Sequence, residues 1–225
     1  MKKLIYLFLS LLVVACSSDD SSSDNCNVET LSDIDGNIYD VVSIGNQCWA
    51  KTNLNVSKFS NGDQIPEITS NYQWARTSSP AWCYYENSSE NGLIYGKLYN
   101  HYALNDPRNI APEGWRLPTP QDWEELFEYL GGVDIAGKHM KVAGEGNFGT
   151  NNTGTNSSGF SALPGGRRVG YTGAGNQGTF SVGGQWANFA ATSCSFDIYD
   201  GDNVYFGDWQ GCSSNNGNSV RLIKE

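Results

Sequence analysis

One segment of this chain has the periodicity of a well-formed helix, and it limits what the rest can be. Trp123, Leu126, Phe127 and Leu130 fall at i, i+3, i+4 and i+7, a single apolar face. Thr119 stands at the N-cap, Pro120 at the first helical position, and Asp122 completes a Thr-x-x-Asp capping-box pattern. Gly131-Gly132 ends the run. Elsewhere the chain is Gly-, Asn- and Ser-rich: Gly supplies 26 of 225 residues, charged residues only 17%, and there are seven Trp. A helical bundle is excluded by this profile. It predicts an α+β domain of small, mostly antiparallel sheets and long loops, with two helices.

The second helix is expected within 134–141, with a shorter helical piece over 96–104. A β-hairpin is predicted from Ile38 to Ile44, through Gly45-Asn46, to Gln47-Cys48-Trp49-Ala50. From there to about Tyr95 the composition suggests long loops with at most short strands. Further strand-like pieces lie at 160–163, 185–192, 203–206 and 219–223.

The first residues read differently. Lys2 and Lys3 precede an apolar run from Leu4 to Val14, broken by Ser10. That run is far short of the roughly 20 residues a spanning helix needs, and it has the length of a signal-peptide core. It ends in Val13-Val14-Ala15-Cys16, the pattern cut by a lipoprotein signal peptidase. The expected organisation is a signal peptide over 1–15, lipid on Cys16, a flexible tether over 16–27, and one domain over 28–225. A tether of Ser, Asp and Asn has no apolar residue to bury. Asp19-Asp20 resembles the export signal of Bacteroidetes surface lipoproteins, and a plain acidic linker is the other reading. The expected location is the outer membrane, facing outward. Lys+Arg is 14 against 24 Asp+Glu, a net charge of -10. Nucleic acid is therefore not expected as a partner, and the membrane is expected only through the lipid.

Five cysteines remain beyond Cys16: Cys26, Cys48, Cys83, Cys194 and Cys212. No C-x-x-C pair and only two His argue against zinc. An oxidising compartment favours disulfides, and Cys194–Cys212 closes a short loop.

Five blocks, in order, carry a resemblance. They are Asp35-Gly36-Asn37-Ile38-Tyr39 with Ile44-Gly45-Asn46-Gln47-Cys48-Trp49; Gly96-Lys97-Leu98-Tyr99-Asn100; Pro112 to Thr119 with Asp122-Trp123; Ser158 to Arg167; and Ser219-Val220-Arg221. Together they resemble the Fibrobacter succinogenes major paralogous domain, a family of bacterial surface and secreted lipoproteins. The resemblance implies a C-type-lectin-like fold with paired terminal strands, related to the formylglycine-generating enzymes. Two departures stand out, since Ala111 and Leu222 occupy positions where relatives often carry cysteine. Cys48 and Cys83 sit beside aromatics of the family blocks and are the second expected disulfide, with Cys26 left over.

Catalysis has little support. His101 and His139 stand in ordinary surroundings, and Glu124, Glu125 and Glu128 read as a solvated helix face. Asp197, Asp200, Asp202, Asn203 and Asp208 form an acidic cluster, and Asp200 and Asp202 are candidate calcium ligands. No other cofactor is expected. Trp49, Trp115 and Trp123 read as core. Trp74, Trp82, Trp186 and Trp209 lie in amide-rich loops, where each ring reads first as core of a domain with few aliphatics to bury, while flat rings among amides also suit sugar faces. The candidate binding residues are Trp186, Tyr199, Tyr205 and Trp209 with Asn188 and Asn203. The expected function is non-enzymatic binding of glycan or protein at the cell surface. The alternatives are an assembly subunit of a surface complex and an enzyme related to the formylglycine-generating group.

Overall fold

A computed structural model of the chain describes residues 26–144, 147–150, 152–170, 177–199, 201–206 and 214–225. The expected signal peptide, Cys16 and the tether up to Asn25 lie outside the described residues, as do Asp200, Trp209 and Cys212. Among the described residues no helix is long and apolar enough to cross a membrane.

In chain order the elements are β1 (Thr30–Ser32), β2 (Ile38–Ile44), β3 (Gln47–Ala50), α1 (Asn71–Arg76) and β4 (Trp82–Cys83). A 3-10 turn at Tyr85–Asn87 leads into α2 (Ser89–Tyr95), β5 (Leu98–Tyr99), α3 (His101–Leu104) and β6 (Trp115–Arg116). Then come α4 (Pro120–Tyr129), α5 (Ala136–Met140), β7 (Arg167–Arg168), β8 (Phe180–Ser181), β9 (Ala187–Ala190), β10 (Ser195–Ile198), β11 (Val204–Phe206) and β12 (Ile223–Lys224). A five-stranded sheet has the order β1-β2-β3-β12-β6, and a three-stranded sheet the order β11-β10-β9. Two-stranded ribbons pair β4 with β5 and β7 with β8. All named strand pairs are antiparallel.

The predicted hairpin forms as β2 and β3, with Ile44 opposite Gln47 across the Gly45-Asn46 turn. Ile223 of the last strand pairs with both Trp49 and Arg116, so the chain's end closes the sheet its beginning started. Lys224 Nζ donates to the Cys26 carbonyl at 2.6 Å, tying the last strand to the first described residue.

Helix α4 forms as its sequence dictates. Thr119 Oγ1 accepts from the Asp122 amide at 3.2 Å, and Asp122 Oδ2 accepts from the Thr119 amide at 2.6 Å. Arg116 adds two bonds to the same carboxylate, at 2.7 and 2.8 Å. Trp123, Leu126 and Phe127 are buried. Trp123 meets Trp49 of the five-stranded sheet at 4.4 Å and Phe196 of the three-stranded sheet at 4.3 Å between ring centres. One helix face thus joins the two sheets through an aromatic core completed by Phe127, Phe160 and Phe189.

Several expectations change. Five α-helices form among the described residues, rather than two. The presumed loop over 51–95 contains α1 and α2, capped by Ser70 and Ser88, whose hydroxyls accept from Gln73 and Asn91 amides at 3.3 Å. Both are too short to show an apolar stripe. Gly96 takes φ +71°, and Leu98–Tyr99 pairs as a strand, so the helix expected over 96–104 starts only at His101. There Asn100 caps it by accepting from the Ala103 amide at 3.0 Å. The 160–163 piece contributes one bridge, Ala162 with Lys141, rather than a strand. Trp74 and Trp82 are buried, so of their two readings core packing holds and the sugar-facing one does not.

The expected Cys48–Cys83 disulfide is corrected: Cys48 bonds to Cys26, with Cα atoms 5.5 Å apart. Cys83 instead sits on β4, buried with Trp74, Ala81 and Leu98 in a separate apolar cluster. Cys26 is therefore a pinned, buried residue, not the leftover thiol of a loose tether. The expected Cys194–Cys212 pair includes a cysteine outside the described residues.

Candidate functional site

The three-stranded sheet positions the candidate site. Residues opposite one another in a ladder share a face, and alternate residues along a strand return to it. Phe196 faces Phe189, and these rings stack at 5.4 Å toward the core. Asp197 pairs with Asn188 on one side and Tyr205 on the other, so these three share the opposite face. Trp186 precedes Asn188 by two residues, and Tyr199 follows Asp197 by two. Their rings complete a row: Trp186 lies 5.2 Å from Tyr199, and Tyr199 6.1 Å from Tyr205. Tyr205 is 60% exposed, while Trp186 and Tyr199 are partly exposed. Three of the six candidate binding residues are thereby brought together.

Asn188 does not join them at the surface. It is 1% exposed, and its amide donates to Asp197 Oδ1. This corrects its expected role as a direct ligand contact: strand pairing places it under the row, not on it. Asn203 lies in the turn before β11, its carbonyl against Gly137 of α5. Trp209 lies outside the described residues.

Two polar residues of this face were not singled out as binding residues from the sequence. Gly166 bridges to Ala187, which carries the start of β7 alongside β9 and brings Arg167 toward Asp197. Arg167 Nη1 stands 4.0 Å from Asp197 Oδ2. Arg167 Nε and Asn188 Oδ1 are buried without a hydrogen-bond partner among the described residues. Burial pushes the Asp197 carboxyl above the usual carboxylate range, and the Asn188 and Arg167 interactions offset this only in part. Asp197 belonged to the acidic cluster visible in the sequence, whereas no local signal links it to Arg167, thirty residues away.

The candidate calcium ligands fare differently. Asp200 lies outside the described residues. Asp202 Oδ1 accepts from the Thr153 hydroxyl. The carbonyls of Tyr199 and Gly201 accept from Lys141 Nζ at 2.9 and 2.6 Å. Lys141 is fully buried. Both carbonyls thus already accept from the Lys141 side chain. Among the described residues no group of three or more His, Cys, Asp or Glu could hold a metal.

The histidines have modest surroundings. His139 Nδ1 lies 2.6 Å from Ser157 Oγ, with no carboxylate bonded to the ring among the described residues. His101 has its pKa lowered by burial and lines a cavity of only about 10 Å³ with Cys194 and Asn218.

These features define a class: an α+β domain whose terminal strands share one sheet and whose second sheet presents an aromatic row over a buried acid. The chain belongs to the Fibrobacter succinogenes major domain family, whose model matches residues 42–224. That match leaves Cys26 outside and reaches from the middle of β2 to the last strand. No curated protein and no solved structure matches the chain.

Proposed function

We propose that this chain is a lipid-anchored binding protein of the outer bacterial surface, holding a glycan or protein ligand on the Trp186–Tyr199–Tyr205 row. The observation that carries this reading is the contiguity of the three rings, with Tyr205 the most open. Aromatic faces bury much area at low entropic cost, and their polar tips keep hydrogen bonds available. The fold belonging to this proposal is C-type-lectin-like. Its support is the closure of the first sheet by the last strand and the looped second sheet beyond α4. Lipidation at Cys16, export through the 1–15 signal peptide and an outward-facing tether belong to the same proposal, supported by the Val13 to Cys16 pattern. Cys26 gives the tether a fixed point of departure, since its disulfide and Lys224 hold it to the domain.

The test is capture of ligand by whole cells or purified full-length protein. Tyr205→Ala should weaken capture while leaving the thermal midpoint within a few degrees, because the ring is exposed. Unchanged capture would remove the row from the site. Cys16→Ala should leave the precursor uncleaved or release the protein from the membrane fraction.

A second reading, an assembly subunit of a surface complex, has its own observation. Ile38, Leu93 and Ile94 are strongly exposed and line one open groove of about 240 Å³. Exposed aliphatics gathered in one place suit a protein partner. Serine at Leu93 and Ile94 should then release the protein from such a complex without altering ligand capture.

A further inference from the structure

The geometry points to a neutral glycan as the ligand of the aromatic row, held by one of its hydroxyls inserted between Arg167 and Asp197. This rests on the reading of Trp186, Tyr199 and Tyr205 as a binding surface and narrows it to one chemical class.

The separation of the two charged groups carries the inference. At 4.0 Å, Arg167 Nη1 and Asp197 Oδ2 are too far apart for a direct hydrogen bond. One oxygen about 2.8 Å from each would bridge that distance. The inserted group must accept from a guanidinium and donate to a carboxylate at once. A hydroxyl does both with one atom. A ligand carboxylate or phosphate cannot donate in its ionised form, and Asp197 repels it. A ligand ammonium cannot accept, and Arg167 repels it. An apolar side chain would leave Arg167 Nη1 and Asp197 Oδ2 unbridged.

The surroundings agree. Asp197 Oδ1 is already engaged by the Asn188 amide, which holds the carboxylate and leaves Oδ2 toward Arg167. Asp197 lies directly opposite Tyr205, so the pair sits beside the ring row and not elsewhere on the sheet. A pyranose presents a flat C–H face to aromatic rings and hydroxyls at its edge, which matches a row of rings bordered by a donor–acceptor gap. The net charge of -10 disfavours polyanionic glycans and leaves neutral ones. Arg167 is about one-third exposed, so part of its side chain borders solvent beside Asp197.

The experiment is affinity electrophoresis of the full-length protein through gels containing mannan, xylan or mixed-linkage β-glucan, with polygalacturonate as the anionic comparison. The expected result is retardation by at least one neutral polymer and none by polygalacturonate. Arg167→Leu and Tyr205→Ala should each weaken retardation roughly ten-fold, the scale of one charge-assisted hydrogen bond or one ring contact. Thermal midpoints establish that both variants fold. Should Arg167→Leu fail to fold, Arg167→Lys serves, because it keeps the charge and loses the fixed fork. Retardation unchanged in a folded Arg167 variant would overturn the hydroxyl bridge. Ligand capture from cells that depends on Tyr205, with no neutral polymer retarding the protein, would overturn the glycan class and leave the surface itself standing. Retardation unaffected by Tyr205→Ala would overturn both.

Discussion

Asn188 on β9 stands directly across from Asp197 on β10, and its amide donates to a carboxylate only 8% exposed. Burial raises that carboxyl's pKa above the ordinary value, more than the Asn188 bond and the Arg167 charge lower it. For an acid with a raised folded pKa, the folded state binds the proton more tightly than the unfolded state. Its contribution is therefore most favourable at low pH and is lost as pH rises through the folded value. Asp197→Asn keeps the shape and removes the buried charge. We expect its thermal midpoint to exceed the wild type by a few degrees at neutral pH, with the gain shrinking toward about pH 4. Melts followed by circular dichroism at the two pH values check this, and a lower midpoint at neutral pH would count against it. The same variant should bind more weakly, stability being given up for function at this position.

Trp123 is the joint between the two sheets. It is fully buried against Trp49, Phe160, Phe189 and Phe196. Trp123→Ala should cost about 3–5 kcal/mol, enough to unfold a marginal domain. Trp123→Phe should cost clearly less, since the indole Nε1 has no partner among the described residues and its loss strands nothing. Urea denaturation midpoints for the two variants give the comparison; equal losses would mean that ring volume is not what matters.

Asp122 closes the α4 capping box and receives Arg116. Burial raises its pKa, but the Arg116 bonds and the Thr119 hydroxyl and amide lower it further, and the net shift is downward. With a depressed folded pKa, its stabilisation is present above the unfolded value and lost as pH falls through the folded one. Asp122→Ala should cost about 1–3 kcal/mol at neutral pH. The gap from wild type should narrow as pH falls from the unfolded carboxylate value, about 3.9, through the lower folded one. Chemical denaturation across acid pH measures it.

The Cys26–Cys48 bridge has a sequence separation of 22. In the chain-entropy picture, closing such a loop contributes about 3 kcal/mol. Serine at both positions should lower stability by that order. Cys83 behaves oppositely: burial pushes its thiol up to about 12. It should resist thiol reagents in the folded protein and react only on unfolding. Mass spectrometry after alkylation with and without denaturant reads both cysteine classes at once.

Lys141 Nζ already donates to the Tyr199 and Gly201 carbonyls. Millimolar calcium should therefore leave the melting midpoint unchanged. Lys141→Met should lower it by several degrees, because two partly buried carbonyls lose their donor. A calcium-dependent rise in the wild type would overturn this account of the cluster.

Legibility followed the distance over which each feature is decided. Helix α4, with its cap, apolar face and Gly stop, is built from contacts within one turn or two, and each has a residue-level signature. The same holds for the β2–β3 hairpin, where turn chemistry and strand propensity coincide. Trp49, Trp115 and Trp123 were readable as core because they accompany those elements. Helices α1 and α2 escaped notice because six or seven residues give periodicity too little room to appear.

By itself, then, the sequence determined α4 and the β2–β3 hairpin, the aromatic wealth of the core and the membership that its ordered blocks express. Only the tertiary structure decided which cysteine Cys48 meets, that Asn188 lies beneath the surface while Tyr205 opens onto it, and that Arg167 comes to Asp197. Those outcomes depend on strand register and on how the sheets meet around Trp123. A shift of one residue in a ladder reverses every side chain's face, and no spacing along the chain encodes which ladder forms.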